Sequence, residues 1–148
     1  MPTLNPKTYE PTPSRKVAFL GLGVMGVPMA GHLSLAGHDV CVYNRSAAKA
    51  QAWTREFKGR AAATPREAAA GRDIVFCCVG NDDDLRSVML GADGAFAGMK
   101  PGAVLVDHTT AWRMSRVSCS RRRKRAGCIS WMRLCRAARA ARRTACSR

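Results

Sequence analysis

Short runs of apolar residues alternate through residue 111 with longer mixed stretches bounded by helix caps and glycines. After one basic residue, Lys16-Val17-Ala18-Phe19-Leu20 is apolar on both faces, as buried parallel strands are. Val40-Cys41-Val42-Tyr43, the run from Ile74 to Val79, and Ala103-Val104-Leu105-Val106 ending at Asp107 repeat that pattern. Between them lie four helical segments. Val27 to Ala36 is closed by Gly37 at the C′ position. Ser46 is placed to cap a helix through Phe57. Thr64-Pro65-Arg66-Glu67 is a capping box with proline in the first turn, and its helix stops at Gly71. Asp82 to Leu90 forms a polar-faced helix. Strands alternating with helices predict right-handed crossovers onto a parallel sheet, hence an α/β, doubly wound architecture.

Composition divides the chain. Through Ala111 there are 12 basic and 10 acidic residues, enough chain for a modest core. From Trp112 to Arg148 there are 13 basic residues and no acidic one, so this tail carries most of the +15 charge. Four of the seven cysteines lie there, with one glycine and no proline. Such a tail is expected to be disordered or a marginal helix. Its run RRRKR at 121–125, with Arg133, Arg136, Arg139, Arg142 and Arg143, offers nonspecific, salt-dependent binding to nucleic-acid phosphates. Cys119, Cys128, Cys135 and Cys146 lack zinc-ligand spacing, so no metal site is read from them. Residues 1–14 are proline-rich, lack the apolar core of a secretory signal and read as a disordered leader. No stretch of about 20 apolar residues suggests a transmembrane helix. Burial within strands is expected for Cys41, Cys77 and Cys78, and a reducing, cytoplasmic setting for the chain.

Gly21-Leu22-Gly23-Val24-Met25-Gly26 stands between the first strand and the first helix. GxGxxG alone is a weak signal; in a strand–loop–helix context it has a mechanism. Gly21 allows the tight turn, Gly23 admits a pyrophosphate to the backbone, and Gly26 lets helix and strand pack closely. The helix N-terminus supplies amide donors and the positive end of its dipole. An acid about 20 residues beyond the glycines would hold the ribose 2′-hydroxyl of NAD. Here Asn44-Arg45-Ser46 follows the second strand instead. Arg45 is suited to pair with a 2′-phosphate and Asn44 and Ser46 to donate to it, so NADP is the first choice and NAD the second.

FLGLGVMGVPMAGHL at 19–33, VYNRS at 42–46, CCVGNDDDLRSVM at 77–89 and GAVLVDHTT at 102–110 occur in order. Together they resemble the β-hydroxyacid dehydrogenases, which include 3-hydroxyisobutyrate dehydrogenase, tartronate semialdehyde reductases and the cofactor domain of 6-phosphogluconate dehydrogenase. His32 stands where the family usually has asparagine. The resemblance spans roughly residues 15–111 and implies a Rossmann-type domain, incomplete here. It places Val79 and Asn81 beside the cofactor and Thr110 near the nicotinamide ribose. It also implies interconversion of a small 3-hydroxy acid and its semialdehyde. In the family a further helical domain supplies the catalytic lysine, and a DAPVSGG motif binds substrate; neither stands in this sequence. No catalytic residue is therefore assigned.

Just past Thr110 the resemblance stops, and the reading frame offers a reason. Trp131-Met132 is encoded TGG-ATG without choice, and the third base of the first codon with the first two of the second makes GAT, aspartate. Permitted codons for Cys128 to Arg148 then spell HFLDAPVSGGQGGAENGVLT, which contains the absent motif. The stretch from Trp112 can likewise spell LADVSREL. Loss of one base near codon 111 is the expectation, with a basic tail that was never selected. Such a chain is expected to lack dehydrogenase activity and to leave the edge of its last strand bare. A stand-alone dinucleotide-binding module and a basic interaction protein are the other readings.

Overall fold

The structure, a computed structural model, describes residues 8–109 and the backbone of residues 130–133. In chain order the strands are β1 (Lys16–Leu20), β2 (Asp39–Tyr43), β3 (Arg60–Ala61), β4 (Ile74–Cys77), β5 (Val104–Asp107) and β6 (Ser130–Arg133). The helices are α1 (Gly26–Leu35), α2 (Ala47–Glu56), α3 (Pro65–Ala69), α4 (Asp82–Met89) and α5 (Ala95–Gly98). The sheet order is β3-β2-β1-β4-β5-β6, and every pair is parallel. The chain moves outward from β1 in one direction and restarts at β4 in the other. A crevice opens at that switch point, beyond the carboxyl ends of the strands. This is the Rossmann-type α/β sheet the sequence predicts.

Alternation along the strands divides the core between the two faces. Val17, Phe19, Val40 and Val42 face α1 and α2, where Trp53 is buried with its indole N–H donating to the Val27 carbonyl at 3.3 Å. Ala18, Leu20, Val75, Cys77 and Leu105 face α3 and α4 and pack with Ala68, Leu85 and Met89. At the opposite end of β2 from the crevice, the buried Arg72 guanidinium donates to Asp39 Oδ2 at 2.9 Å, and Arg60 donates to the same oxygen at 3.0 Å. Partial burial works to raise the Asp39 pKa, but the two guanidiniums outweigh it and hold the carboxyl below its ordinary value. Cys41 and Cys77 are buried and form no disulfide among the described residues, and burial pushes the Cys41 thiol up.

Several local expectations hold with their mechanism. Gly37 follows α1 at φ +88°, and the amides of Gly37 and His38 return to Ser34 and Leu33. The Glu67 amide donates to Thr64 Oγ1 at 3.1 Å, although the Glu67 carboxylate reaches past Thr64 to the Ala63 amide. Others are corrected. Ser46 sits at the N-cap of α2 in extended conformation, but its hydroxyl makes no capping bond. The fourth strand ends at Cys77 rather than Val79, because the Val79 amide turns to Thr109 Oγ1 at 3.2 Å instead of continuing a ladder. Residues 8–14 have no helix or strand, yet the Tyr9 hydroxyl is hydrogen-bonded to His32 and Ser14 Oγ donates to the Gly37 carbonyl at 2.8 Å.

The largest correction concerns the sheet edge. β5 is not bare: β6 lies along it, with Val104 opposite Ser130 and Asp107 opposite Arg133. The expectation of a wholly disordered or marginally helical tail fails at these four residues. A parallel ladder uses main-chain groups, so a short extended run suffices whatever the surrounding charge. The rest of the tail, including its arginine cluster, lies outside the described residues. Among the described residues no helix is long and apolar enough to cross a membrane, and no cluster of metal ligands occurs.

Candidate functional site

The crevice at the switch point is a cleft of about 250 Å³. Three loops meet there: the one after β1 with Gly21, Leu22 and Gly23, the one after β2 with Asn44 and Arg45, and the one after β4 with Val79. Parallel strands bring all three to one end.

The glycine loop is shaped by contacts that exclude side chains. Gly21 has φ +98°, and a Cβ there would lie 2.2 Å from the Cys78 carbonyl oxygen. Its amide donates to the Tyr43 carbonyl at 2.9 Å. Gly26 lies under the loop, where a Cβ would lie 2.0 Å from the Gly21 carbonyl oxygen. Gly23 is the opposite case, with no atom within 4 Å of its Cβ position. That open space is where a phosphate can approach the main chain. The amides of Gly23, Val24 and Met25 have no hydrogen-bond partner among the described residues, and they precede the ten-residue helix α1. Val24 and Met25 are 92% and 63% exposed, so the loop presents backbone inward and side chains to solvent. The cradle fits an anionic pyrophosphate.

The Leu22 amide is not among the free donors. It donates to Asn44 Oδ1 at 2.9 Å, while Asn44 Nδ2 donates to the Ser46 carbonyl at 3.2 Å. Asn44, expected to donate to a phosphate, instead joins the glycine loop to the end of β2. Arg45 Nη1 donates to Asp84 Oδ1 at 3.0 Å, and Ser46 lines the cleft with its hydroxyl uncommitted to the helix cap. Asn81 is not brought to the cleft wall. It caps α4, accepting from the Asp84 amide at 2.9 Å and donating to Asp84 Oδ2 at 3.1 Å. Thr110 lies outside the described residues.

Two charged residues that sequence reasoning missed also line the cleft. Lys49 lies four residues past Arg45, in the first turn of α2, and adds a second cation to the cleft lining. Asp84 is one of three consecutive acids, and only the cap at Asn81 fixes which of them faces inward. The helix spacing from Arg45 was the readable signal for Lys49. None existed for Asp84.

A glycine loop of this shape, feeding a helix at the switch point of a parallel sheet, defines a dinucleotide-binding Rossmann domain. The family model for the NAD binding domain of 6-phosphogluconate dehydrogenase matches residues 16–131. The chain belongs to that family, and the cofactor class is accordingly a nicotinamide dinucleotide. The match runs past the composition boundary at Ala111 into β6. An oxidoreductase of Shewanella frigidimarina, itself uncharacterized, is 66% identical over 96 residues, covering 65% of this chain and 33% of the relative. A probable 3-hydroxyisobutyrate dehydrogenase-like protein of Arabidopsis thaliana is 41% identical over 114 residues, covering 75% and 36%. Among solved structures, 3-hydroxyisobutyrate dehydrogenase of Mycobacterium tuberculosis superposes with a TM-score of 0.70 at 23% identity, over 81% of this chain and 39% of that one. The chain thus spans about a third of the length of these curated relatives.

Proposed function

We propose that this chain is the cofactor-binding part of an oxidoreductase that interconverts a small 3-hydroxy acid and its semialdehyde, with NADP as its preferred cofactor. The carrying observation is the open space over Gly23, faced by three unpartnered amides, with Arg45 and Lys49 at the far end of the same cleft. The amides and the α1 dipole hold the pyrophosphate. Arg45 and Lys49 provide the positive charge that a ribose 2′-phosphate requires, and Ser46 a hydroxyl donor. No carboxylate follows β2 to claim a 2′-hydroxyl and repel that phosphate. The bound dinucleotide supplies hydride transfer at its nicotinamide ring. Exchange of the hydroxyl proton needs an acid/base that this sequence does not provide, so the chain is expected to bind cofactor without turnover.

Calorimetric titration with NADPH and NADH tests the cofactor choice. NADPH is expected to bind about tenfold more tightly, the worth of one charge-assisted contact. A clear preference for NADH would reject it. Turnover of hydroxyisobutyrate or tartronate semialdehyde by the isolated chain would overturn the expected inactivity.

A further inference from the structure

We infer that Asp84 sets the affinity of the cleft for a 2′-phosphate by competing for Arg45; the inference rests on the NADP reading above. The two residues come from opposite sides of the crevice, Arg45 from the loop after β2 and Asp84 from the first turn of α4. Arg45 Nη1 lies 3.0 Å from Asp84 Oδ1, and both residues line the cleft. The carboxylate is not a loose surface group. Its other oxygen accepts from Asn81 Nδ2 at 3.1 Å, and its own amide is held by Asn81 Oδ1 at 2.9 Å. Arg45, by contrast, has an 85% exposed side chain and no other side-chain partner among the described residues. The acid is thus held by a second side chain, Asn81, whereas the guanidinium is held by the acid alone among the described residues.

A phosphate arriving at Arg45 therefore meets a donor already engaged, next to a negative charge that stays behind. An exposed pair of this kind is weak enough to exchange for a dianion. Yet it subtracts from 2′-phosphate binding both the pair's own worth and the repulsion between Asp84 and the phosphate. A ligand without a 2′-phosphate pays neither cost. Asp84 thus acts on discrimination between NADP and NAD and leaves the pyrophosphate cradle alone.

Asp84→Asn removes the charge while keeping the amide that Asn81 caps and an oxygen for Asn81 Nδ2. The probes are adenosine 2′,5′-bisphosphate and ADP, titrated calorimetrically into the full chain. The variant is expected to bind the bisphosphate about fivefold more tightly, the scale of one exposed ion pair, with ADP affinity unchanged. In an Arg45→Ala background the same substitution should lose most of that gain, because the competition has no object. Unchanged bisphosphate affinity in Asp84→Asn, or an equal change for both probes, overturns the inference. If the unmodified chain binds both probes alike and Arg45→Ala is neutral, the 2′-phosphate reading itself fails and takes the inference with it.

Discussion

The carbonyl oxygen of Gly21 lies 2.0 Å from where a side chain on Gly26 would begin. Helix α1 starts directly against the turn that leaves β1, and the atom in the way belongs to the backbone. No rotamer change can relieve that contact. Gly26→Ala is therefore expected to destabilise the domain by about 2 kcal/mol and to weaken dinucleotide binding with it. Urea unfolding monitored by far-ultraviolet circular dichroism measures the first effect and calorimetry the second.

Gly23→Ala should behave differently, because its Cβ position faces empty space. Stability should stay within about 0.5 kcal/mol of the parent, as at other open positions. NADPH and NADH affinities should both fall at least about tenfold, because the methyl stands where the pyrophosphate approaches. A variant that melts normally and still binds at full strength would remove Gly23 from the site.

Burial depresses the pKa of His108, partly offset by Asp107; its ring is stacked on Phe76 with centroids 6.1 Å apart. Above the unfolded value, about pH 6.5, the ring is neutral in both states and nothing is lost. As pH falls below that, the unfolded chain takes the proton first, and stability declines until the depressed folded value is passed. Denaturation at pH 7.5 and pH 5 should show that loss, and His108→Gln should flatten it.

Asp39 carries the sign of a paired carboxylate. Its folded pKa is depressed, so its contribution is complete above the unfolded value of about 4 and disappears as pH falls through the folded one. The carboxylate is 39% exposed, so solvent screening keeps the contribution to about 1 kcal/mol. Asp39→Asn should lower stability by that amount at pH 7 and weaken the acid-induced loss. Equal pH profiles for parent and variant would refute the assignment.

What the sequence revealed follows from where the physics is local. Strand β1, the glycine loop and the C′ glycine of α1 are each specified by contiguous residues, and each stands within a residue or two of its predicted place. Elements decided by pairing at a distance were not visible. The two-residue β3 exists because Cys41 and Val42 on β2 offer it partners. β6 exists because β5 offers an edge, and its own composition suggested nothing of the kind. The site divides in the same way. Gly21, Gly23 and Gly26 could be assigned roles from spacing alone. The hydrogen bonds that turn Asn44 inward to Leu22, and Asn81 to its helix cap, depend on loops separated in sequence.

Asn44 has a consequence for the cost of ligand capture. Its side chain accepts from Leu22 on the glycine loop and donates to Ser46 on the loop after β2, so the protein's own hydrogen bonds fasten these two walls of the cleft together. The loop's conformational entropy is surrendered when the domain folds and need not be surrendered again when cofactor arrives. Asn44 need not touch the dinucleotide to strengthen its binding: it keeps the receptor in the shape that the ligand would otherwise have to impose.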